Sequence, residues 1–347
     1  MKVVHIESGL GNQMLSFCEL LALKHMNPHE DIYIENMIYD IPECNQTICQ
    51  WNGYELERIF GIKVKNIKEL FSEDEWQRIL DRVRGSRFWE KNWNWPVYIT
   101  EALNNYGLNL INIRGDFETN GHAIIDKYER HKIRRHFVRT KIGSRIKRLL
   151  YYIAQNKYLK PNNNIFIQSD ENIYTGQWLC LKNRNQQREL IDAEIRKTFV
   201  FPDIVDERNT EMMKILLSTN GVAIHARRGD MLSRNGWCYE QGYFRRAVKL
   251  IRKKVNNPVF VFFTDSGSIE WCKNNPKIFG IDYKKDKVYF VNWNKGENSF
   301  RDMQLMSYCK HAIITESSFG WWGAYFIEYP DKITISPYLN IDTTNHC

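Results

Sequence analysis

From about residue 206 to residue 327 the chain repeats one pattern. A short apolar run ends in a turn of small and polar residues, and a segment with apolar positions at helical spacing follows. The apolar runs are Val222-Ala223-Ile224, Val259 to Phe263, Lys287 to Val291 and Ala312 to Thr315. Between them, Tyr243 to Lys254 lines up Phe244, Ala247, Val248 and Ile251, and Phe300 to Lys310 lines up Met303, Leu305 and Met306. Phe319 to Ile327 closes the series. Short apolar runs bounded by turns read as buried strands, and strands alternating with helices close into a parallel sheet covered on both faces. The first half opens in the same way, with strand Val3 to Ile6, a turn Gly9-Leu10-Gly11-Asn12, and a helix from Met14 to about Met26. Phe201-Pro202-Asp203 breaks the pattern, so the expected organisation is two α/β domains, 1–200 and 201–347.

In an open α/β sheet, ligands sit beyond the carboxyl ends of the strands. Three such ends carry polar groups here: His225-Ala226-Arg227-Arg228-Gly229-Asp230, Thr264-Asp265 and Ser317-Ser318. Charge at the end of a buried strand is expensive without a partner. The planar fork of arginine matches phosphate oxygens, so Arg227 and Arg228 point to an anionic, phosphorylated ligand. Ser317 and Ser318 open a helix. Capping explains a serine pair by itself, and phosphate binding by the helix N-terminus becomes an equal reading beside two arginines. Gly9-Leu10-Gly11-Asn12-Gln13 lacks the third glycine of a dinucleotide fingerprint. Loops facing ligand in both halves suggest a cleft between the domains. Trp321 and Trp322, inside an apolar helix, read as packing rather than stacking.

The chain has 347 residues and a net charge of +8, from 49 Lys and Arg against 41 Asp and Glu. That suits an acidic ligand or an anionic surface. The eight cysteines form no CxxC pair or zinc spacing and read as buried reduced thiols, and no metal site is expected. No signal peptide or membrane-length apolar run is seen, so the expectation is a cytoplasmic protein, with peripheral contact at the inner face of a membrane left open. Residues 127–160 are strongly basic, with Ile142, Ile146, Leu149 and Ile153 at helical spacing. They read as an amphipathic helix with a solvated face, or as a contact for lipid headgroups. Basic charge with 11 tryptophans also fits single-stranded nucleic acid, but no nucleic-acid motif is present and none is expected to bind.

These residues resemble a known family. His225-Ala226-Arg227-Arg228-Gly229-Asp230 looks like the HxRRxD motif shared by α1,2-, α1,6- and protein O-fucosyltransferases. Gly9 to Met14, Asp302 to His311, and Ser317 to Ala324 are similar to three further motifs of the α1,2-fucosyltransferases, glycosyltransferase family eleven, bacterial type. The resemblance implies a GT-B architecture, two Rossmann-like domains with a cleft between them, the N-terminal one on the acceptor side and the C-terminal one binding the GDP-sugar. It implies inverting, metal-independent transfer of fucose from GDP-fucose to the 2-hydroxyl of a terminal β-galactoside in an oligosaccharide or lipid-linked glycan. By matching position, Arg227 binds the β-phosphate, His225 and Asp302 hold guanine, and Ser317, Ser318 and Phe319 form the diphosphate loop. Gly11, Asn12 and Gln13 face the fucose and pyrophosphate. Arg228, Thr264 and Asp265 join the donor site. Asp230 is the candidate general base, with a salt bridge orienting Arg227 or Arg228 as the competing reading and Glu7, Glu118 and Glu316 as other candidates. Another GDP-sugar donor, and a non-catalytic glycan-binding relative, are the alternatives. The pattern departs from the family at Glu316 (usually Asn) and Gly320 (usually Ser). Glu316 is expected to turn away from the diphosphate loop or to pair with Lys310 or Arg228. Thr175-Gly176-Gln177-Trp178 matches an acceptor-side segment in shifted form.

Overall fold

The computed structural model describes residues 1–44, 52–91, 94–113, 140, 142–143, 145–146, 170–176 and 186–337. The chain divides into two compact units, Met1–Phe199 and Val200–Leu339. Each is built on its own all-parallel sheet. Glu118, Gln177, Trp178 and most of the basic stretch 127–160 lie outside the described residues.

In the first unit, β1 (Lys2–His5) is flanked by β2 (Ile32–Glu35) and β4 (Ile173–Thr175), and β3 (Ile111–Asn112) lies beyond β4. Between β1 and β2 runs α1 (Leu10–Met26). The glycine turn foreseen at Gly9–Gln13 is instead the start of this helix. Gly9 is its N-cap, and its carbonyl already accepts from the N–H groups of Asn12 and Gln13. On one face of the sheet, Val3, Tyr33 and Tyr174 pack with Ile79 and Val83 of α2 (Glu73–Gly85) and Ile99 and Leu103 of α3 (Trp95–Asn104). Ser72 starts α2 with a capping box to Glu75, which satisfies two otherwise orphaned N–H groups. The unit ends with α4 (Gln186–Thr198), which packs against α1.

The second unit opens with α5 (Glu207–Ser218), capped by Asp206. Its five strands are β5 (Asn220–His225), β6 (Pro258–Phe263), β7 (Lys287–Val291), β8 (His311–Ile314) and β9 (Thr334–Ile335), in spatial order β7-β6-β5-β8-β9. The order runs outward in one direction from β5 to β7 and in the other from β8 to β9. That reversal makes the gap between the carboxyl ends of β5 and β8 a topological switch point, where doubly wound sheets place ligands. Alternate residues serve opposite faces, as strand geometry requires. Val222, Ile224, Phe260 and Phe262 pack beneath α6 (Leu232–Glu240) and α7 (Tyr243–Lys254). Ala223, Val259, Val261 and Phe263 pack beneath α5, α9 (Phe300–Ser307) and α10 (Ser318–Tyr325). The short α8 (Ile269–Asn274) follows β6. Trp322 is fully buried and Trp321 lies flat on Tyr325, so both tryptophans pack, as foreseen. Cys18, Cys44, Cys238, Cys272 and Cys309 are free, buried thiols.

Candidate functional site

The carboxyl end of β5 is fastened to the end of β8 by main-chain and side-chain hydrogen bonds. Thr315 donates its hydroxyl to the His225 carbonyl and accepts from the Arg227 N–H, both at 3.0 Å. Asn235 of α6 is fully buried. Its amide nitrogen donates to the carbonyls of Arg227 (3.2 Å) and Glu316 (3.1 Å), and its oxygen accepts from the Glu316 N–H (2.9 Å). Tyr239 Oη donates to the Arg227 carbonyl at 2.9 Å. The backbone that carries the two arginines therefore has little freedom, and nothing in the sequence pattern singled out Asn235.

Arg227 meets Asp230 at 2.8 Å between Nη2 and Oδ1, the salt bridge of the competing reading. Arg228 is held differently. Its guanidinium lies 3.3 Å above the Trp271 ring centre and 5.3 Å from that of Tyr239. Nε and Nη1 of Arg228 are buried and lack a hydrogen-bond partner among the described residues. Stacking thus fixes the group while leaving donors unused, an arrangement with stored capacity for an acceptor.

His225 is buried at the end of β5, and Phe319 lies nearly parallel to it with ring centres 5.9 Å apart. Burial, reinforced by the charge of Arg227, pushes its pKa down to about 3, so the ring is neutral at pH 7. Its Nδ1 has no hydrogen-bond partner among the described residues. Ser317 is the N-cap of α10 by position, yet its hydroxyl makes no cap hydrogen bond, so the capping explanation of that serine is not realised. His225, Arg227, Arg228, Ser317, Ser318 and Phe319 are thus gathered at the switch point.

Two expectations need correction. Thr264 and Asp265, read as donor-site residues, serve the loop instead. Thr264 Oγ1 donates to the Ala226 carbonyl at 2.7 Å. Asp265 accepts from the N–H groups of Arg228 (2.8 Å) and Gly229 (3.1 Å) and from the Ser268 hydroxyl. Burial would raise the Asp265 pKa, but these hydrogen bonds and the charge of Arg227 hold it below the usual carboxylate value. Gln13, read as facing ligand, is fully buried. It donates to the Ser8 and Gly53 carbonyls at 2.9 and 2.8 Å and accepts from the Glu55 N–H at 2.9 Å. Among the described residues no ion pair joins Glu316 to either suggested cation: Lys310 bonds Asn220 at 3.0 Å, and Arg228 stacks on Trp271. Asp302 belongs to a separate cluster. It accepts from Asn294 at 2.8 Å, and Asn294 and Trp293 both donate to Asn209. Burial, opposed only by Asn294, pushes the Asp302 pKa up to about 7. Gly11 and Asn12 lie in the first turn of α1, in the first unit.

The first unit holds a titratable cluster that its sequence pattern had hidden inside a strand. His5 Nδ1 lies 2.5 Å from Glu35 Oε2, and Trp95 Nε1 donates to His5 Nε2 at 3.0 Å. Indole can only donate, so Nε2 accepts and the ring proton sits on Nδ1, facing Glu35. Tyr174 Oη (2.9 Å) and the Met37 N–H (2.6 Å) also donate to Glu35, which gives this buried carboxylate three donors. Glu7 Oε2 is 3.5 Å from His5 Nε2.

A parallel doubly wound sheet with basic groups and a helix N-terminus at its switch point has the arrangement by which such folds can hold anionic ligands. Comparison with known proteins narrows this. Residues 191–346 match the model of glycosyl transferase family 11. Over 171 residues it is 39% identical to an alpha-1,2-colitosyltransferase of Escherichia coli, covering 47% of this chain and 54% of the relative. Over 144 residues it is 31% identical to galactoside alpha-(1,2)-fucosyltransferase 1 of Saimiri boliviensis boliviensis, covering 38% of this chain and 37% of the relative. The chain thus spans about half or less of the length of these two relatives. Among solved structures, the fucosyltransferase NodZ from Bradyrhizobium aligns with a TM-score of 0.46 at 12% identity, over 93% of this chain and 91% of that one.

Proposed function

We propose that the second unit binds GDP-fucose and that the protein transfers the fucosyl group to the 2-hydroxyl of a terminal β-galactoside, in an oligosaccharide or lipid-linked glycan. The observation that carries this reading is the pinned Arg227 at the switch point. Its backbone is held by Thr315, Asn235 and Tyr239, and its guanidinium by Asp230. The acceptor hydroxyl oxygen attacks the anomeric carbon from the face opposite GDP, inverting it, and releases its proton to water. The bond to the phosphate oxygen breaks, and GDP leaves with the electron pair. Arg227, rigid before the reaction begins, neutralises the charge developing on the β-phosphate, so no metal is required for that step. The N–H groups opening α10 assist. Neutral His225 and Asp302 are read as the guanine contacts, since a carboxylate can accept from both N1–H and the exocyclic amine.

The name of the colitosyltransferase relative favours a second donor reading, transfer of colitose rather than fucose. The test incubates the purified protein, in EDTA, with GDP-fucose and a soluble β-galactoside, and follows GDP release and product linkage. An α1,2-fucosylated product supports the reading. Transfer only from another GDP-sugar moves the donor assignment, and absence of transfer from any GDP-sugar overturns it.

A further inference from the structure

We propose that the outer face of α7 is a docking surface for anionic lipid headgroups. The proposal goes beyond the donor chemistry and does not depend on it. The sequence of α7, Tyr-Phe-Arg-Arg-Ala-Val-Lys-Leu-Ile-Arg-Lys-Lys, contains six cations and no acid. Tyr243, Phe244, Ala247, Val248 and Ile251 are buried against the sheet. Arg245, Arg246, Lys249, Arg252, Lys253 and Lys254 are all exposed. The helix is therefore rigidly anchored by its apolar side and presents a line of positive charge roughly 18 Å long.

Arg252 donates to the Gly280 carbonyl at 2.9 Å and to Asp286 at 2.8 Å, which ties the segment before β7 to α7. That segment balances Lys284 and Lys285 with Asp282 and Asp286, and Lys285 lies 3.7 Å from Asp282, so the unbalanced positive charge is that of α7 itself. Lys249, Lys253 and Lys254 have no acidic partner among the described residues. A surface of this sign is complementary to an acidic leaflet. Two features favour lipid over nucleic acid. The two aromatic residues of α7, Tyr243 and Phe244, are buried, so the helix offers bases no stacking platform. Leu250 sits among the cations with 43% of its surface exposed, suited to the headgroup boundary.

Each basic residue near an anionic surface contributes roughly fivefold to partitioning. The test is flotation of the full chain with vesicles of phosphatidylcholine alone, and of phosphatidylcholine mixed equally with phosphatidylglycerol, at low and high salt. Binding is expected only to the anionic vesicles, falling with salt. The triple variant Lys249→Gln/Lys253→Gln/Lys254→Gln should bind roughly a hundredfold more weakly with an unchanged melting temperature, since these side chains touch no core. Equal binding to neutral vesicles, no binding to anionic ones, or undiminished binding of the folded triple variant overturns the proposal. So does preferential capture of single-stranded RNA in competition with the vesicles.

Discussion

A Cβ atom on Gly320 would lie 2.3 Å from Nδ1 of His225 and 2.8 Å from Cγ of the same ring. His225 ends β5 and Gly320 stands in the first turn of α10, so the helix approaches the strand end as closely as it does only because residue 320 has no side chain. In this geometry the imidazole occupies the space any side chain at position 320 would need.

The contact predicts an asymmetric double-mutant cycle. Gly320→Ala should destabilise the protein by roughly 1–3 kcal/mol, the usual range for overpacking. In a His225→Ala background, where the ring is gone, most of that penalty should vanish. Urea unfolding of the four proteins measures the coupling.

His225 also predicts a pH dependence. Its pKa falls from 6.5 to about 3 on folding, so the fold favours the neutral ring. The corresponding stability is complete above pH 6.5 and is lost as pH falls from there toward 3. Between pH 7 and pH 5 the loss should approach about 2 kcal/mol. His225→Gln should remove that component of the slope, as measured by urea unfolding at the two pH values.

Asp302 has the opposite sign. Its pKa rises from 3.8 to about 7, so the fold favours the protonated acid. Stability from this group is lost as pH rises from 3.8 through 7. Asp302→Asn should therefore be more stable than the parent at pH 8, with a smaller gain at pH 5, by thermal unfolding. If the carboxylate reads guanine, the same variant weakens GDP relative to UDP and ADP, and an unchanged nucleotide preference removes Asp302 from that role.

Asn235→Ala should cost about 1–3 kcal/mol for each main-chain group left unpaired and buried. It should also loosen Arg227, so donor affinity falls although residue 235 is assigned no ligand contact. Asn235→Asp keeps the acceptor for the Glu316 N–H but loses both donors, and should recover only part of the stability.

Asp230→Asn should retain activity within about tenfold, because an amide oxygen can still accept from Arg227. Arg227→Ala should lose about 10² to 10³ in turnover, the range found for removing one donor to a developing oxyanion. Steady-state kinetics on both variants separates orientation from charge neutralisation.

Much of the second unit was legible because its signals are local. Tyr243–Lys254 and Lys287–Val291 have the bounds their periodicity predicts, and the strand ends carrying Arg227 and Ser317 follow from them. What stayed hidden depends on partners far apart in sequence. Asn235 is 81 positions from Glu316, and Gln13 is 42 from Glu55. Asp265 looks like a ligand group until the N–H groups of Arg228 and Gly229, 37 and 36 positions away, are seen pointing at it. His5 and Glu35 read as ordinary strand residues, since parallel pairing alone brings them together. The Gly9–Gln13 turn was misplaced because glycine suits a loop and a helix start equally.

The central claim is that the switch point between β5 and β8 binds a guanosine-diphospho-sugar through Arg227. Calorimetric titration of the protein in EDTA with GDP, GDP-fucose and UDP tests it most directly, repeated with Arg227→Ala. The account predicts binding of GDP and GDP-fucose without metal, little binding of UDP, and sharp weakening in the variant. Equal affinity for UDP, or GDP binding that Arg227→Ala leaves intact, would contradict it.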